Sequence, residues 1–93
     1  MPRRVLLSAR ADRWLHSETA CLAPRGIPAA RRFLDRSEGA RRLLAAFARS
    51  GRPGLIPGTG RLIVAPHAIT YRERGTDLEI VDGRHGRESE TVD

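Results

Sequence analysis

Between Ala30 and Phe47 a small or apolar residue returns at alternating spacings of three and four, through Ala30, Phe33, Ser37, Ala40, Leu44 and Phe47. A period near 3.6 places these side chains in one stripe along an α-helix, and the stripe must lie against a core. Arg31, Arg32, Arg36, Arg41, Arg42 and Arg49 fill much of the remaining circumference. Pro28 suits the first turn of this helix, where a missing N–H costs nothing. Gly39 weakens its middle by about 1 kcal/mol. Gly51 is expected as its C-cap, with Pro53 blocking continuation.

One arginine-clad helix needs partners, and the flanking segments supply them. Val5-Leu6-Leu7 reads as an opening strand, and Ser8 is placed to cap a first helix beginning near Ala9. In that helix Ala11, Leu15 and Leu22 can share a side, with Trp14 and Cys21 beside them. Trp14 is expected to pack and Cys21 to be a small buried residue. Arg25-Gly26-Ile27-Pro28 separates the two helices. Gly51 to Gly60 forms a loop, followed by strands over Arg61 to Ala65, Ala68 to Arg72 and Leu78 to Gly83. Gly75 can take positive φ in the turn between the last two, which makes them an antiparallel hairpin.

The expected fold class is therefore α+β: an N-terminal strand, a two-helix hairpin and a three-stranded antiparallel meander, with the helices packed on one face of the sheet. With 93 residues the chain supports one domain, assigned to residues 1–87, and the acidic end 88–93 is expected to be a disordered tail. One cysteine closes no intramolecular disulfide. The N-terminus lacks a signal-like apolar run, so a cytoplasmic location is expected. No apolar stretch reaches the roughly 20 residues of a membrane span, and no membrane partner is expected.

All 17 basic residues are arginine, and the formal net charge is +6. Coding bias in a GC-rich genome accounts for this as well as selection does. Position carries more information. Residues 1–52 hold 12 arginines against 4 acids, and residues 53–93 hold 5 against 7, so the basic surface belongs mainly to the first half. Arginine's planar fork suits carboxylate and phosphate, consistent with an acidic protein or a nucleic acid as partner.

Several patterns are excluded as chemistry. His16 and His67 have no companions at ligand spacing, so no metal and no cofactor are expected. Gly58-Thr59-Gly60 opens a strand instead of a helix and is no phosphate-binding fingerprint. Tyr71 alternates with Ile69 on an apolar strand face and is expected to bury its ring.

In order along the chain, Ala29-Ala30-Arg31-Arg32-Phe33-Leu34-Asp35, Arg49-Ser50-Gly51-Arg52-Pro53-Gly54, Pro57-Gly58-Thr59, Tyr71-Arg72, Ile80-Val81 and His85-Gly86-Arg87 resemble the RelE/ParE superfamily of toxins. The resemblance implies the toxin component of a type II toxin–antitoxin system. It also implies a cognate antitoxin with an acidic, partly disordered tail, and DNA gyrase or the ribosome as target. Two departures stand out. Gly60 occupies a place where members often have arginine, with Arg61 one position later, and Ser17 to Cys21 is less regularly amphipathic than usual. They leave open an inactive copy.

The two branches of the superfamily ask for different chemistry. A metal-free ribonuclease needs a base, an acid and cations on the phosphate at one place, and His85, Arg84, Arg87, Arg72 and Arg61 are the candidates for such a set. Strict strand alternation sends Glu79, Val81, Gly83 and His85 to one face and Leu78, Ile80, Asp82 and Arg84 to the other. They cannot all converge, and His85 is expected to be structural. The favoured reading is a gyrase-directed ParE-like toxin, not an enzyme, with Arg31, Arg41, Arg42, Arg72, Arg84 and Arg87 meeting antitoxin or target. A ribosome-dependent messenger RNA endonuclease is the alternative, and a basic nucleic-acid-binding module the third reading.

Overall fold

The computed structural model describes residues 3–54 and 56–85. Arg87 and the tail at 88–93 lie outside them. Strand β1 (Val5–Leu7) leads into helix α1 (Ala9–Leu22), a 3-10 turn (Ala23–Arg25) and helix α2 (Ile27–Ala46). Strands β2 (Arg52–Pro53), β3 (Thr59–Val64), β4 (His67–Arg74) and β5 (Asp77–His85) follow. They form one five-stranded sheet in the order β1-β5-β4-β3-β2. Among the described strands only β1 is parallel to its neighbour, with Val5, Leu6 and Leu7 beside Leu78, Glu79 and Ile80. The α+β layout read from the sequence holds, and both helices cover the same face of the sheet. Among the described residues no helix is long and apolar enough to cross a membrane.

Local chemistry sets the joints. The Ser8 hydroxyl accepts from the Ala11 amide at 3.0 Å, capping α1, and donates to the Val81 carbonyl at 3.0 Å, tying that cap to β5. Gly26, at φ 113°, separates the helices in a conformation that costs a Cβ-bearing residue strain. Gly75, at φ 62°, makes the tight β4–β5 turn.

The core lies between the helices and the sheet, built on Ala11, Ala40, Leu44, Leu62, Ile69, Tyr71, Leu78 and Ile80. Phe33, Ala40 and Leu44 of the stripe are buried. Phe47 is not: it is 66% exposed, because α2 ends at Ala46 and Phe47 itself adopts φ −134° and ψ 84°. The helix thus stops before the expected Ser50-Gly51 boundary, which lets Ala48 turn back to pack against the core. Gly51 is used elsewhere. Its amide donates to the Tyr71 hydroxyl at 3.1 Å, and a Cβ would lie 2.6 Å from the Arg61 carbonyl. Cys21, expected buried, is exposed, since α1 turns Ala11, Trp14, Leu15 and Leu22 inward instead. The expected Gly51–Gly60 loop contains the two-residue strand β2, in which Arg52 and Pro53 pair with Arg61 and Gly60.

Leu44 is fully buried, so Leu44→Ala is expected to lower unfolding stability by about 2–5 kcal/mol. Urea titration followed by circular dichroism measures it. Leu43→Ala, one position along on the exposed side, is expected to cost less than about 1 kcal/mol.

Candidate functional site

Strand alternation alone does not say which side chains share the uncovered face of this sheet, because β5 carries one extra residue. Thr70 pairs with Asp82, but Tyr71 pairs with Ile80. Val81 is the bulged residue. A bulge shifts the phase of every side chain beyond it. Leu78, Ile80, Gly83 and His85 therefore face the helices, while Asp77, Glu79, Asp82 and Arg84 face away. The expected grouping of Asp82 and Arg84 with Leu78 and Ile80 is corrected on this point.

The uncovered face is thus charged. Arg61 stands beside Thr70, Thr59 beside Arg72, Arg72 beside Glu79 and Ala68 beside Arg84. Between the start of α1, β5 and the loop before β3 lies an open cavity of about 400 Å³, lined among others by Arg10, Ile56, Thr59, Arg72, Asp82 and Arg84. Glu79 also lines it, although only 5% exposed. Arg72 donates to its Oε1 from Nε at 2.9 Å and contacts the same oxygen through Nη2 at 2.8 Å; Arg74 Nη1 donates to Oε2 at 2.8 Å. The hydrogen bond from Arg72, then that from Arg74, outweigh burial and hold the Glu79 carboxyl below its ordinary value of 4.5. Asp82 lies 3.4 Å from Arg10 and 3.8 Å from Arg84 and accepts from the Gly83 amide at 2.9 Å.

On the opposite side of the sheet, His85 joins an aromatic cluster under α1. Its ring centroid is 5.7 Å from that of His67, which lies 4.7 Å from Phe33 and 5.8 Å from Trp14. His67 Nε2 meets Glu18 Oε1 at 3.1 Å. Trp14 lies so close over Gly83 that a Cβ there would overlap its ring. Tyr71 is buried, as expected, with its hydroxyl accepting from Gly51. Gly60 makes room for that ring: a Cβ would come 2.5 Å from Tyr71 Cζ. The departure at Gly60 is therefore a packing requirement. His16 pairs loosely with Asp12 at 3.8 Å on the surface, and no cluster fit to hold a metal occurs among the described residues.

The arginines singled out in the sequence fall on two surfaces. Arg72 and Arg84, with Arg61, belong to the uncovered sheet face. Arg31, Arg41 and Arg42 belong to α2. Arg41 reaches the Val5 carbonyl at 3.3 Å and Glu38 at 3.7 Å, and Arg42 reaches Glu38 at 3.6 Å. Arg31 borders a shallow groove with Ile27, Ala30 and Leu34. Sequence reasoning missed Arg10, Arg74 and Glu79 as site members. Glu79 was accessible to it, because a two-residue turn at Gly75-Thr76 opposes Arg74 to Asp77 and hence Arg72 to Glu79.

Two consequences are measurable. Since the folded-state value of Glu79 is depressed, its stabilisation is fully present above the ordinary carboxylate range and lost as pH falls through the folded value. Glu79→Gln should therefore be less stable than wild type at pH 7, with the gap in urea midpoint closing on acidification. Gly60→Ala should cost about 1–3 kcal/mol through overlap with Tyr71. In a Tyr71→Ala background that penalty should shrink, and a double-mutant cycle reads the coupling.

No protein-family model and no curated protein matches the chain. A solved structure does: a chain of the chromosomal ParDE TA system from P. aeruginosa, at 18% identity and TM-score 0.80, over 89% of this chain and 95% of that one. The strand, helical hairpin and closing strands derived above are thus the fold of a ParDE toxin–antitoxin chain.

Proposed function

We propose that the chain is the toxin of a type II toxin–antitoxin pair, that it inhibits DNA gyrase by protein–protein contact, and that a cognate antitoxin with an acidic, partly disordered tail neutralises it. The fold shared over nearly all of both chains and the ordered residue series from Ala29 to Arg87 support the toxin assignment. The observation that carries the mode of action is the separation of acid–base groups from cations. His85 lies on the helix side in contact with His67, Tyr71 is buried, and Arg72 and Arg84 line the cavity across the sheet. A phosphodiester held by these arginines would be out of reach of His85. Glu79, held ionised by Arg72 and Arg74, is a weak base for a 2′-hydroxyl.

A nucleic-acid-binding module fits less well. Trp14, Phe33 and Tyr71 all lie on the helix side, leaving the uncovered face of the described sheet without aromatic rings for base stacking.

Induced expression in a bacterial host is expected to arrest growth, and co-expression of the neighbouring small gene to relieve the arrest. Purified protein should inhibit gyrase supercoiling and leave translated messenger RNA intact. His85→Ala should retain toxicity, whereas the double variant Arg72→Ala/Arg84→Ala should lose at least tenfold in inhibitory potency, on the scale of two contact residues. Absence of arrest sinks the toxin assignment. Messenger RNA cleavage that disappears in His85→Ala replaces gyrase with the ribosome.

A further inference from the structure

Glu79 combines two properties that seldom occur together: it is nearly inaccessible, yet it lies on the face of the sheet that no helix covers. Burying a carboxylate is costly unless it is paired. Here the pairing comes from the guanidinium groups of Arg72 and Arg74, which lie over it and contact both of its oxygens. The arginine side chains themselves remain 52% and 65% exposed.

Two long side chains are therefore held in fixed positions on an open surface, with several N–H groups directed away from Glu79. A guanidinium has five N–H donors. Glu79 engages only the Nε and Nη2 groups of Arg72 and the Nη1 group of Arg74. Pairing with Glu79 restricts rotamer freedom that an incoming anion would otherwise have to remove.

We propose that Arg72, Glu79 and Arg74 form a preorganised docking platform for carboxylate side chains of an acidic, partly apolar peptide segment, with Glu79 as its positioning residue. The inference rests on the toxin reading, in which such a segment belongs to the antitoxin. Peptide is favoured over nucleic acid by two features of the same surface. Asp82 interrupts the row of arginines and opposes a continuous phosphate backbone. Ile56 and Ile63, 55% and 58% exposed, offer apolar anchors where a nucleic acid would need aromatic rings. Charge-assisted bidentate contacts to the arginine forks supply the attraction.

The test uses the full-length purified chain and a short fluorescein-labelled peptide of glutamate and leucine residues, read by anisotropy. Simple electrostatics predicts that Glu79→Gln, which removes a negative charge, strengthens binding of this acidic probe. Preorganisation predicts the opposite, a weakening of about tenfold for two released arginine side chains. Arg72→Lys, which keeps the charge and loses the fork, should weaken binding in the same direction. Circular dichroism and thermal unfolding establish that each variant is folded, and Arg72→Lys alone decides the matter if Glu79→Gln is not. Equal or tighter binding by the folded variants, no binding by wild type, or a single-stranded oligonucleotide bound more tightly than the peptide would each overturn the proposal. Growth arrest and its relief are read separately, so a wild-type chain that arrests growth yet does not bind the peptide removes this inference and leaves the toxin reading standing.

Discussion

The pairing of β4 with β5 governs what every other part of the molecule can do. From the Gly75 turn the two strands run in ordinary register as far as Tyr71 and Ile80, and Val81 then enters without a partner. Were Val81 paired in unbroken alternation, Asp82 and Arg84 would point into the helices and His85 to the uncovered face. With Val81 bulged, Gly83 and His85 turn toward α1 and the charged residues turn away. The start of α1 is fastened at this point, through the Ser8 hydroxyl on the Val81 carbonyl and the Ser8 amide on the Ile80 carbonyl at 2.9 Å. One inserted residue thus sets both the composition of the uncovered face and the position of the helix that borders it.

Glycine and aromatic residues close the covered side. Trp14 occupies the space above Gly83, and Tyr71 the space above Gly60 and Gly51. Each glycine lets a ring approach the sheet to a distance that any side chain would prevent. An arginine at position 60 could not coexist with Tyr71 in this orientation, so the glycine at position 60 and the burial of the tyrosine are one structural fact. The same packing withdraws the Tyr71 hydroxyl from any role on the far side of the sheet.

The arginines divide in a way that total charge does not reveal. Those of α2 are dispersed along the helix, where Arg41 and Arg42 pair with Glu38 and Arg36 and Arg41 reach backbone carbonyls. Those of β4 and β5 are fewer but surround a cavity and are held by Glu79 and Asp82. Arginine in this second setting is paired with a carboxylate, which gives its planar fork a defined geometry. The greater density of arginine in the first half of the chain is therefore a poor guide to where the paired arginines border a cavity.

Much of the fold was legible along the chain. The three-and-four spacing from Ala30 to Leu44, the Ser8 cap, the Gly26-Ile27-Pro28 break and the Gly75 turn each act within a few residues, so periodicity and local hydrogen bonding suffice to fix them. The burial of Tyr71 also followed from pattern. What remained hidden depends on neighbours distant in sequence. The end of α2 is decided by where Ala48 and Gly51 must pack, the exposure of Cys21 by which side of α1 meets β5, and the bulge at Val81 by the register of a strand pair. That register alone brings Arg72, Arg84 and Glu79 together and sends His85 elsewhere. Strand alternation has a period of two, so a single extra residue, invisible to local propensity, reverses every assignment beyond it.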